Sequence, residues 1–159
     1  MAQFLGKWKS VSMSNMEGIG KALGKWKSVS MSNMEGIGKA LGYSDEMIKM
    51  AKASTWTFEF TKDGDRWSVS NESNNTPKST NTYEKEGKEL VTKGPSGKCM
   101  KLTIKFDSDT KMTVMEKWEQ ETGWKDVKLV RTIEGNTMTA VLEDLESGEK
   151  MTQVFEKCT

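Results

Sequence analysis

The sequence predicts an all-β fold: about ten antiparallel strands closed as a barrel or sandwich, with two short helices near the start. Three observations predict it. From residue 54 onward, apolar side chains recur at every second position. Turn-forming clusters of Gly, Asp, Asn and Pro interrupt that alternation at short intervals. The chain has 159 residues and 35% hydrophobic residues, enough for one domain with a modest core or a thin wall around a cavity.

The first element is written twice. Residues 6–23 read GKWKSVSMSNMEGIGKAL, and residues 24–41 repeat them without a change. Two copies cannot build a solenoid. Identity at every position means no time to diverge, the mark of an engineered or very recent duplication. Removing one copy from 159 residues leaves a parent of 141. Each copy begins with a strand-like run, Gly-Lys-Trp-Lys-Ser-Val-Ser-Met. A capping-box pattern follows, Ser14 with Glu17 and Ser32 with Glu35, which predicts a helix over about 33–41 ending at Gly42. Ser44 then caps a second helix from Asp45 to about Ala53, with Asp45 and Glu46 at its positive end and Lys49 and Lys52 nearer its negative end.

The strands follow in order. Trp56, Phe58 and Phe60 alternate up to the Lys62-Asp63-Gly64-Asp65 turn, and Trp67 and Val69 lead to Asn74-Asn75-Thr76-Pro77. Lys85-Glu86-Gly87-Lys88 and Gly94-Pro95-Ser96-Gly97 are turns. Met100, Leu102, Ile104 and Phe106 share a face, as do Met112, Val114 and Trp118. Val127, Leu129, Arg131 and Ile133 end at Glu134-Gly135-Asn136, Met138 to Leu142 comes next, and Met151, Gln153 and Phe155 form the last inward face.

Composition excludes several functions. The 24 basic and 23 acidic residues leave a net charge of +1, so nothing favours a nucleic-acid partner by charge. With no histidine, His-based triads, His acid–base catalysis and His-ligated metals are excluded, and no cofactor or metal site is expected. Cys99 and Cys158 are far apart and form no CxxC, so they read as free thiols of a reducing compartment. The first residues lack the apolar core of a signal peptide, and no run is long enough to span a bilayer. The expected location is therefore cytoplasmic. Gly18-Ile19-Gly20 and its copy Gly36-Ile37-Gly38 lack phosphate-loop spacing, and the carboxylates appear scattered over turns and outward faces.

Arg131 is the sharpest local signal. Its phase with Val127, Leu129 and Ile133 points it inward, where a wet cavity would make it an anchor for a carboxylate or polar head. The alternatives are an outward side chain or a structural pair with a Glu. Gln153, flanked by Met151 and Phe155, is either a second polar contact or a satisfied core amide. Lys39, Lys49 and Lys52 on the helix pair suit transient contact with an anionic ligand or membrane surface.

Phe4-Leu5-Gly6-Lys7-Trp8-Lys9, the Asn33-Met34-Glu35 helix start, Lys39-Ala40-Leu41-Gly42, Gly64-Asp65, Lys117-Trp118 and Gln153-Val154-Phe155-Glu156-Lys157 occur in an order that resembles the intracellular lipid-binding proteins. These are the cytosolic carriers of fatty acids and retinoids. The resemblance covers the whole 141-residue parent. It implies a ten-stranded antiparallel up-and-down barrel, two near-orthogonal sheets under a helix-turn-helix lid, that carries a hydrophobic small molecule without catalysis. It also implies an inward Arg on the eighth strand, matched by Arg131, and an Arg-x-Tyr on the tenth, where Gln153 and Phe155 stand instead. Gln-x-Phe is similar to the retinol-binding branch, although that branch has Gln where this chain keeps Arg131. The expected ligand-binding set is Arg131, Gln153, Phe155 and Trp118. The expected ligand is a long-chain fatty acid, with a retinoid or other neutral amphiphile as the alternative. Since the barrel has one slot for its first strand, the duplication predicts either a monomer with one copy displaced or a strand-swapped dimer, and an engineered conformational variant with inherited lipid binding fits the same pattern.

Overall fold

Alternating side chains place one face of each strand inside and the other in water, and consecutive hairpins carry that pattern around the molecule. A computed structural model describes residues 22–94 and 97–158. Its strands are β1 (Gly24–Ser32), β2 (Trp56–Asp63), β3 (Arg66–Ser73), β4 (Thr76–Tyr83), β5 (Leu90–Lys93), β6 (Cys99–Ser108), β7 (Lys111–Gln120), β8 (Gly123–Glu134), β9 (Thr137–Asp144) and β10 (Lys150–Lys157). Helices α1 (Met34–Ala40) and α2 (Asp45–Ala53) lie between β1 and β2.

All ten strands form one sheet in the order β4-β3-β2-β1-β10-β9-β8-β7-β6-β5. Every neighbour pair is antiparallel and consecutive in the chain except β1 with β10, which joins the two ends. The sheet curls into a nearly closed barrel, with β4 and β5 at its two ends. The expected strands are therefore present, with the helix pair as a lid between the first two. Trp26, Phe60, Phe155, Ile104 and Met138 are central to the main core, and a second cluster joins Met34, Ile37, Leu41 and Ile48 of the lid to Trp118, Val127 and Met151.

The second copy of the repeat supplies β1 and α1. Residues 1–21, which include Phe4, Trp8 and the Ser14 pattern, lie outside the described residues. At the junction Ala22 is fully buried, and its carbonyl accepts the Trp26 Nε1–H at 2.8 Å. Trp26 itself is fully buried beneath the Lys157 ammonium, 5.6 Å from the ring.

The start of α1 differs from expectation. Ser32 remains in β1 and does not cap the helix; its hydroxyl faces the Thr152 carbonyl at 3.5 Å. Asn33 is the cap residue, in a left-handed conformation with φ 61, which Asn tolerates better than most residues. Its Nδ2 donates to Glu149 Oε2 at 2.8 Å and to the Lys150 carbonyl at 2.7 Å, tying the lid to the β9–β10 turn. The second helix starts as predicted, with Ser44 Oγ accepting the Met47 N–H at 3.2 Å. Gly38 lets the two helices approach: a Cβ there would sit 2.6 Å from Ile48 Cγ1. No described helix is long and apolar enough to cross a membrane.

Candidate functional site

Directly opposed residues of an antiparallel ladder share a face. The pairings therefore align Met112, Arg131, Ala140, Gln153 and Met31 along one inward row across five strands. Two residues along the ladder, Val114, Leu129, Leu142 and Met151 form the next row. Leu129, Leu142, Met31, Phe58 and Gln153 retain part of their accessible surface although they share inward rows or pack on the core, so they border space as well as packed atoms.

Arg131 is 7% exposed. Its guanidinium lies over the rings of Phe60 and Phe58, at 5.2 and 5.5 Å from their centroids, a geometry that partly offsets desolvation. Among the described residues none forms an ion pair with it, and no buried side-chain nitrogen or oxygen lacks a partner. Its donors therefore have no acidic partner among the described residues and are not sealed in packed atoms. Burial lowers the Arg131 pKa from its ordinary value, while Tyr83 and Glu116 act the other way.

The other expected residues divide between two places. Phe155, 1% exposed, stands edge-on to Phe58 with centroids 5.1 Å apart, which puts it beside the Arg131 rings. Gln153 is half-buried on the Arg131 row, two strands away. Trp118 lies instead beneath the lid, its ring 6.2 Å from Tyr43. The structure thus brings Arg131, Phe155 and Gln153 into one region and Trp118 into another.

Two carboxylates correct the expectation that acids occupy only turns and outward faces: Glu116 is 6% exposed and Asp144 is fully enclosed. Glu116 Oε1 accepts the Trp118 Nε1–H at 2.7 Å. Burial raises the Glu116 pKa to about 7 against the opposing influence of that hydrogen bond and of Arg131. Burial also pushes the Tyr83 hydroxyl up to about 12, with Arg131 opposing and Glu116 reinforcing, so three groups of the interior feel one another. The signal for Glu116 was its phase with Met112, Val114 and Trp118. Asp144 has a local task. Burial alone would raise it, but hydrogen bonds from Ser147 (2.6 Å) and Lys125 (3.0 Å) hold its carboxyl below the ordinary value.

On the outer side of the lid, Lys39, Lys49 and Lys52 border an open groove with Glu35 and Asp45. The two acids offset most of that positive charge, and Lys39 lies 3.9 Å from Glu35. Cys99 and Cys158 are free. Among the described residues no cluster of three or more Cys, Asp or Glu is placed to hold a metal.

No protein-family model matches the chain, and no curated protein matches it by sequence. Solved structures do match it. The REP1-NXSQ fatty acid transporter is 26% identical with a TM-score of 0.73, over 86% of this chain and 96% of that one. A Schistosoma mansoni fatty acid binding protein in complex with arachidonic acid is 23% identical with a TM-score of 0.76, over 87% of this chain and 97% of that one. Human cRBP IV is 21% identical with a TM-score of 0.70, over 86% and 97%. The structural neighbours of the chain thus include several fatty-acid-binding proteins, and its fold is that of the intracellular lipid-binding proteins.

Proposed function

We propose that the protein is a non-enzymatic intracellular carrier that holds a long-chain fatty acid or similar amphiphile inside the barrel, with Arg131 as the anchor for the polar head. The observation that carries this reading is Arg131, a residue 7% exposed on an inward row with no ion-pair partner among the described residues. Burying an unpaired charge is expensive, and a carboxylate supplies the partner in fork geometry. Phe58, half-buried beside the guanidinium and braced edge-on by Phe155, offers apolar surface for the first methylenes next to that head. Trp118 would contact the chain nearer the lid. With no histidine in the sequence, His-based nucleophilic and acid–base chemistry is excluded for the interior.

A neutral head group is the second reading, and Gln153 favours it. The Arg131 row contains one cation and one amide, so an alcohol or aldehyde can be hydrogen-bonded where a second cation would favour an acid. Calorimetric titration with oleate tests both readings. Arg131→Ala should weaken oleate by roughly 10- to 150-fold, the loss of one charge-assisted bond of about 1.5–3 kcal/mol. Gln153→Arg should raise the affinity for the acid relative to the matching alcohol. Unchanged oleate binding in Arg131→Ala would remove the anchor from the site.

A further inference from the structure

Glu116 is an acid in a place where packing does not call for one. It stands on β7 opposite Leu102 of β6 and Val127 of β8. Its side chain is more than nine-tenths buried. The Trp118 indole occupies Oε1 at 2.7 Å. No other hydrogen bond or ion pair among the described residues reaches the carboxylate, and no fully buried oxygen lacks a partner, so Oε2 keeps a little accessible surface and no protein donor. A glutamine would accept the same indole N–H and avoid the cost of enclosing an ionisable group. The acid is therefore unexplained by the fold and is explained by a donor that is not part of the protein.

The groups facing Glu116 define that donor. Arg131 lies four residues further along the β7–β8 ladder, about 13 Å at the backbone. The two side chains are still close enough to influence each other. Tyr83 of β4 and Tyr43 of the lid turn also feel Glu116. Asp144 shares its row through Val127 but is engaged by Lys125 and Ser147. The interior consequently has a cationic pole at Arg131 and an acidic pole at Glu116, with the apolar Val114–Leu129 row between them. A long-chain amine would satisfy Glu116 but meet repulsion at Arg131. An unsubstituted fatty acid satisfies Arg131 and leaves Glu116 facing methylenes.

Resting on the carrier reading above, we propose that Glu116 is a specificity-determining residue, and that the preferred ligand class is a long-chain acid bearing a hydroxyl partway along its chain. The carboxylate pairs with Arg131, and the hydroxyl donates to Glu116 Oε2 while the chain crosses the row between them.

Calorimetric titration near pH 8 with ricinoleate, which carries a mid-chain hydroxyl, and with oleate tests the proposal. The parent protein should prefer ricinoleate by about tenfold, the value of a charge-assisted hydrogen bond at the low end of its range. Glu116→Leu should bring the preference down to about threefold or less and leave oleate binding undiminished. Glu116→Gln keeps the shape and the Trp118 contact, and should shift the ratio the same way, which carries the test if the Leu variant does not fold. Equal binding of the two acids by the parent, or a preference that both variants retain, overturns the role of Glu116 alone. Failure of the parent to bind either acid overturns the carrier reading, and this proposal with it.

Discussion

At the scale of single residues, Arg131 and Glu116 carry the same kind of signal, yet only one was conspicuous. An Arg between Leu129 and Ile133 interrupts an otherwise apolar alternation, whereas Glu116 sits among Glu119, Glu121 and Lys117 and blends into a charged stretch. Phase alone separates it from them, since it alternates with Val114 and Trp118. Its pKa, raised from an ordinary 4.5 to about 7, ties folding to pH. The folded protein binds this proton more tightly than the unfolded chain. The resulting stability is fully present below about 4.5 and is lost as pH rises through about 7, with a total on the order of 3 kcal/mol. Asp144 has the opposite sign: its stabilisation is present above the ordinary 3.8 and is lost as pH falls through its lower folded value, so the two windows do not overlap. Glu116→Gln should therefore flatten the fall in stability between about pH 5 and 7 and leave the variant more stable than the parent near pH 8. Urea midpoints of both proteins at the two ends of that window check it, and parallel pH profiles would contradict the assignment.

At the scale of elements, local chemistry was legible where its partners were local. Ser44 caps α2 through a residue three positions away, and that cap was readable from the sequence. The Ser32–Glu35 pattern looked equally sound, but β1 runs through Ser32 and hands the turn to Asn33. The partners of Asn33, Glu149 and Lys150, lie across the barrel mouth at a separation of more than a hundred residues. No local rule contains that contact. The lid depends on a second non-local fit, the close approach of α1 and α2 at Gly38. Alanine has the higher helix propensity, by about 1 kcal/mol. Its methyl would nevertheless press on Ile48 Cγ1, a branch carbon held in the lid core, and overpacking of this kind costs about 1–3 kcal/mol. Gly38→Ala should thus be neutral to destabilising overall, and should speed amide hydrogen exchange in Met34–Ala40 relative to the β7–β8 ladder. Slower exchange in the lid would show that Ile48 yields easily.

At the scale of the whole molecule, period-two alternation and turn spacing made the ten-stranded architecture legible, because each strand pairs with its neighbour in sequence. The exception is β1, which must lie between β2 and β10, and for that slot the chain encodes two identical candidates. Nothing within the copies can decide between them; only their flanks differ. The second copy runs through Leu41 and Gly42 straight into the Ser44 cap of α2, so every connection of the lid is kept. The first copy has Phe4 where the second has Ala22, but would have to pass 18 further residues through the lid before reaching α2. Closing a longer loop costs little in itself, and Met16, Ile19 and Leu23 of the first copy match Met34, Ile37 and Leu41, so what the first copy loses is the direct run from its helix into the Ser44 cap of α2. The described structure has the second copy in the slot. If it stays there in solution, Trp26→Ala should cost about 3–5 kcal/mol, since the ring is fully buried and its N–H bonded to the Ala22 carbonyl, while Trp8→Ala should change stability by less than about 0.5 kcal/mol. Equal losses would mean that the copies exchange, and the first copy of one molecule could then fill the slot of another. Size-exclusion chromatography across a range of concentrations separates those cases: exchange within a chain leaves a monomer at every concentration, and strand swapping produces a dimer whose share grows with concentration.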